Sequence, residues 1–146
     1  MNAIQRMHET LARALERAVP ADALALAARI GMGATFWLSG RTKVDGTLHV
    51  TDSAIALFRD EFKLPWIAPD VAAHLAAYAE HVLPLLLFVG LFTRYAALAL
   101  LGMTAVIQFF VYPDAWPTHL SWAAILLYLV QNGAGRLSLD HLLGLR

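Results

Sequence analysis

Apolar and polar positions along the chain alternate in long blocks, and the blocks have helical lengths. Ile4, Met7, Leu11, Leu15 and Ala18 recur at steps of three and four, while Arg6, Arg13 and Arg17 fall mostly off that stripe. Residues 1–20 therefore read as a basic amphipathic helix suited to an anionic membrane surface. Four apolar runs follow, at about 22–40, 70–92, 95–112 and 117–131. The last is short, because ~30 Å of hydrocarbon needs about 20 helical residues. The long connection, residues 41–70, carries nine charges with Asp70 included, and Asp52 or Ser53 is placed there to cap a short helix bearing Ile55, Phe58 and Phe62. Asp70 follows Pro69 as a candidate N-cap. The pattern predicts an all-α integral membrane protein: a surface helix over 1–20 and a four-helix, four-span membrane domain over 21–146.

Composition sharpens this reading. Of the 146 residues, 59% are hydrophobic and 15% charged, against roughly 45–50% and 25% in soluble domains. Lipid covers what a small soluble core could not. Eleven basic and eleven acidic residues balance, which argues against nucleic acid as a partner. The absence of cysteine excludes disulfides, thiolate catalysis and iron–sulfur clusters within this chain. Polar residues through position 17 outlast a usual signal-peptide n-region, so the first apolar run is read as a retained span. Lysine and arginine number six on the side of the termini and four on the other, which favours cytoplasmic termini. The long connection then faces outward.

Three groups of residues recur in order: Ala27–Gly33 with Ser39-Gly40 and Lys43; Glu80 with Leu85–Arg94 and Ala96-Ala97; and Gly133–Asp140. Together they resemble the DoxX family of small prokaryotic membrane proteins, from about Arg29 onward. The resemblance implies a four-helix membrane bundle in a redox-linked setting, such as a subunit of a quinol-oxidising system. Many relatives carry a histidine in the third span, where this chain has Gln108.

Arg29, Glu80 and His81 are the ionisable residues deepest in the predicted spans. A charge at mid-bilayer costs about 2.5–3.5 kcal/mol on insertion scales, so it persists when paired, hydrated or used. The expected depths allow an Arg29–Glu80 pair, serving either as a structural tie or as a proton site. Pro84 removes the helical hydrogen bond to the Glu80 carbonyl, concentrating polarity there. Lys43, His81 and Gln108 are further candidates to contact a cofactor, with quinone the one the redox setting suggests. Lys43 could also meet Asp45 or Asp114. His74, Tyr78 and His81 share a helical face, but no compact metal motif accompanies them, nor any haem or flavin motif. Trp37, Trp66, Trp116 and Trp122 fit an interfacial belt. Three functions follow: a quinone-interacting redox subunit with a protein partner, a non-catalytic scaffold, or a small proton-coupled carrier that assembles as an oligomer.

Overall fold

The structure, a computed structural model, describes residues 2–145. Helix α1 (Ala3–Ala18) opens with a capping box. The Asn2 side chain accepts from the Gln5 amide, and the Gln5 side chain accepts from the Asn2 amide. No α1 residue is buried; its apolar stripe lies open.

Pro20 starts α2 (Ala21–Arg41). Its buried residues, Ala25, Arg29, Met32, Gly33, Phe36 and Gly40, recur at helical spacing and form one face. Close approach occurs at two of them. A methyl group on Gly33 would lie 2.5 Å from the Phe88 ring, whereas one on Gly31 would meet open space.

The long connection is folded. Strands β1 (Val44–Asp45) and β2 (His49–Val50) pair antiparallel across Gly46, which takes φ +50°. Helix α3 (Asp52–Leu57) runs into a π-helical turn, Phe58–Phe62. Its cap is Thr51, whose hydroxyl accepts from the Ala54 amide at 3.2 Å, so Asp52 and Ser53 fall inside the helix. Val44, Val50, Ala54 and Phe58 pack on Ala72, Ala73 and Ala77 as a small second core. The expected N-cap is likewise displaced by two residues. Helix α4 (Pro69–Val89) takes Pro69 as its first residue and Ala68 as cap, which puts Asp70 in the first turn, where an acid favours the helix dipole.

Helix α5 (Thr93–Val106) continues into a second π-helical turn, Ile107–Val111; α6 (Trp116–Asn132) and the short α7 (Leu139–Leu142) follow. Helix α2 packs on α4 and α6, and α5 packs on the same two, so the four long helices close a ring. Met32, Phe36, Leu87, Leu100, Leu126 and Leu129 fill its centre. Each of the four also leaves large apolar side chains exposed, among them Leu38, Leu85, Leu98 and Leu127.

The fold is thus helical, as the pattern predicts, with one two-residue-stranded hairpin. Among the described residues, two helices are long and apolar enough to cross a membrane: Pro69–Val89, with mean hydropathy 1.5, and Thr93–Val111, with 1.6. Helix α2 has the length, but small and polar residues dilute its apolar character. Helix α6, at 17 residues, is shorter than the about 20 that span the hydrocarbon core.

Candidate functional site

Arg29 and Glu80 do not meet. Arg29 is buried and turned toward the start of α2. Its guanidinium donates to the carbonyls of Leu87 at 3.1 Å and Phe88 at 3.3 Å, and to Leu137. The first two are end carbonyls of α4, where the helical ladder runs out and only the Gly90 amide reaches Leu87, at 3.2 Å, so Arg29 acts as a C-terminal cap. Gly90 makes room: a Cβ there would collide with the guanidinium and with Ser138. Asp140 supplies the opposing charge without a direct ion pair. Its carboxylate accepts from the amides of Phe92 at 2.7 Å and Thr93 at 3.0 Å, capping α5 and holding Phe92 at φ +49°. Arg94 caps α6 in the same manner, donating to Val130 and Gln131. Asp22 accepts from the Arg136 amide at 2.8 Å. The segment 133–140 thus ties four helix ends together, and Arg29 is part of that tie.

Glu80 pairs with Lys43 instead, Nζ to Oε2 at 2.7 Å, and both side chains are almost fully buried. The separation along α2 explains the correction. Arg29 lies more than two turns before Ser39, while Lys43 follows the helix end and folds back over it. Its Nζ also donates to the Ser39 hydroxyl at 3.0 Å and the Ser39 carbonyl at 3.2 Å, and the Ser39 hydroxyl donates to Glu80 Oε1 at 3.3 Å. Lys43 meets neither Asp45 nor Asp114. Gly40 permits the contact, since a methyl there would sit 2.9 Å from both Glu80 Cβ and the His81 ring. The sequence held a signal: Ser39 and Lys43 stand four residues apart around Gly40, with Glu80 the sole acid in the facing helix beyond its first turn.

The donors and acceptors at this point are unequal. Lys43 has three N–H groups, and all three are engaged. Each carboxylate oxygen of Glu80 accepts one bond and keeps a further lone pair. The cluster therefore has acceptor capacity left over and no spare ammonium donor.

Ser39, Lys43 and Glu80 form the polar end of a cavity of about 410 Å³ between α2, α4, α5 and both π-helical turns. The remaining walls are apolar, with Phe58, Phe62, Leu64, Ile67, Leu75, Met103, Val106 and Ile107 among them. Phe62 and Tyr112, one beside each π turn, meet edge to face at 5.7 Å. Such turns are frequent at functional sites.

The other candidates are dispersed. His81 is buried next to Glu80, on the side away from the cavity lining. Its Nδ1 is 2.6 Å from the Ala77 carbonyl, its ring lies edge-on to Trp37, and Nε2 has no partner among the described residues. His74 bonds back to the Asp70 carbonyl and stacks edge-on with Tyr78. Gln108 lies across α5 from the cavity, bonded to Pro113 and His119. Among the described residues no three histidine or acidic side chains converge as a metal site.

A family model described as DoxX matches residues 24–113, which includes Ser39, Lys43 and Glu80. An uncharacterised protein of Haemophilus influenzae is 31% identical over 118 residues, covering 74% of this chain and 75% of its own. No solved structure matches the chain.

Proposed function

The chain belongs to the DoxX family, and from that premise we propose a multi-pass membrane protein that binds a quinone-class ligand in the Lys43–Glu80 cavity and serves a redox-linked system together with a partner protein. The single observation that carries this reading is the cavity itself: a space of about 410 Å³, mostly apolar, with Ser39 and one buried ion pair at its end. A lipid-soluble ring with oxygen substituents has matching chemistry.

The same reading places all four long helices in the membrane. The two long apolar helices meet the length requirement directly. The rest is inferred from the large apolar side chains that α2 and α6 also turn outward, where lipid would cover them. Residues at the ends adjust: α6 gains reach from Pro113–Ala115, and its short length is accommodated by local thinning.

The chain's own groups divide the work as follows. Glu80 keeps spare lone pairs, so it accepts a hydrogen bond from a ring hydroxyl and then the proton. Lys43, held between Glu80 and Ser39, keeps the carboxylate oriented and compensates its charge before the proton arrives. Phe58, Phe62 and Met103 exclude water. A bound quinol would supply the two-electron chemistry; one of its two protons would go to Glu80, and both electrons with the second proton would pass to the partner.

The test is extraction and chromatography of quinone copurifying with wild type and with Glu80→Gln in detergent. Stoichiometric quinone in wild type, lost in a folded Glu80→Gln variant, is the expected result. Absence of quinone binding from folded wild type would replace this reading with that of a scaffold.

A further inference from the structure

Across α5 from the Glu80 cavity, a groove of about 320 Å³ runs between α5 and α6. Leu101, Ala105, Phe109, Leu120 and Ala123 make it apolar, and Phe109 and Leu120 are themselves largely exposed at its rim. Its floor contains a chain of three polar groups. Gln108 Nε2 is 2.8 Å from the Pro113 carbonyl, and Gln108 Oε1 is 2.7 Å from His119 Nδ1. His119 is buried.

This chain fixes the direction of every hydrogen bond in it. A carbonyl only accepts, so the group facing Pro113 is the amide NH2. The amide oxygen therefore faces His119, and Nδ1 must carry the proton to donate to it. In the neutral ring, Nε2 is then an unprotonated acceptor. It has no hydrogen bond among the described residues and is not enclosed by protein. Thr104 adds to the bias, because its hydroxyl hydrogen is committed to the Leu100 carbonyl at 2.8 Å. His119 and Thr104 thus offer lone pairs to the groove.

We infer that the α5–α6 groove is a binding site for an apolar alcohol or phenol, whose hydroxyl donates to His119 Nε2 while its hydrocarbon body lies along Leu101, Phe109 and Leu120. A molecule that can only accept, such as the corresponding ether, lacks the bond that the fixed tautomer offers. A lone imidazole without further ligands is also a poor metal site. The site is separate from the Glu80 cavity, and binding in the groove does not require binding there.

The experiment is nitrogen-15 NMR of the full chain, histidine-labelled, in detergent at a pH where His119 is neutral, with phenol and anisole as probes. Two results are expected. His119 shows the Nδ1–H tautomer, and phenol moves its Nε2 resonance saturably whereas anisole, at the same concentration, leaves it at least tenfold less displaced. Ala123→Phe, which fills the groove and leaves the three polar groups in place, keeps the tautomer and abolishes the phenol response. An Nε2–H tautomer, equal responses to phenol and anisole, no response to phenol, or a response surviving Ala123→Phe would each overturn the inference.

Discussion

Gly40 lies flat against Glu80: a single methyl group added to the glycine would stand 2.9 Å from the glutamate Cβ. The two helices touch here through backbone on one side and side chain on the other. That contact sets how far Lys43 has to reach. Gly40→Ala is expected to push α2 away from α4, with overpacking of about 1–3 kcal/mol. Thermal unfolding in detergent should fall accordingly. Gly31→Ala, where a Cβ meets nothing, should leave it unchanged or raise it.

Lys43 and Glu80 should behave as one unit. Lys43→Met leaves a buried carboxylate without its cation, and breaking such a pair costs about 3–5 kcal/mol. The double variant Lys43→Met with Glu80→Met removes both charges and should recover most of that loss, because two apolar side chains suit the cavity walls. A double-mutant cycle of unfolding midpoints measures the coupling. Additive single effects would show that the pair is not coupled in the folded protein.

Asp140 is expected to matter at a distance from its own short helix. Asp140→Ala releases the amides of Phe92 and Thr93 and removes the charge opposing Arg29. Loss of a helix cap alone costs about 0.5–2 kcal/mol. Hydrogen exchange at the start of α5 should accelerate well before exchange in the centre of the bundle. Arg94→Ala should instead loosen the end of α6, around Val130 and Gln131.

Helix α1 contributes nothing to either core. Deletion of residues 1–19 is expected to leave the unfolding midpoint within a few degrees of the full chain. Binding of an isolated 1–19 peptide to anionic vesicles should be weakened by salt and by Leu11→Asp. If deletion lowers the midpoint by more than about 10 °C, the helix is packed more firmly than its exposure indicates.

Much of this architecture was legible in the order of residues. Apolar runs bounded by Pro20, Pro69, Gly90 and Gly133 mark the long helices, because proline and glycine interrupt or terminate them for steric reasons. Which charges meet was not legible. Periodicity gives the face of a helix but not the rotation of one helix about another, and Arg29 and Glu80 point to different ends of the bundle. The hairpin at 44–50 was missed although it had a signal, the Asp45-Gly46 pair between valines. Gln108 was singled out by its position, but His119, eleven residues on, takes its meaning from a contact between neighbouring helices. No spacing rule within one helix would have found it.

The knot of contacts around 133–140 also bears on how the chain is made. Asp140 follows every long helix in translation order, yet it closes the turn between α4 and α5, and the Leu137 carbonyl engages an arginine from α2. During synthesis the earlier helices exist for a time with carbonyl and amide ends that nothing answers. Docking of 133–140 therefore cannot precede synthesis of the helices whose ends it joins.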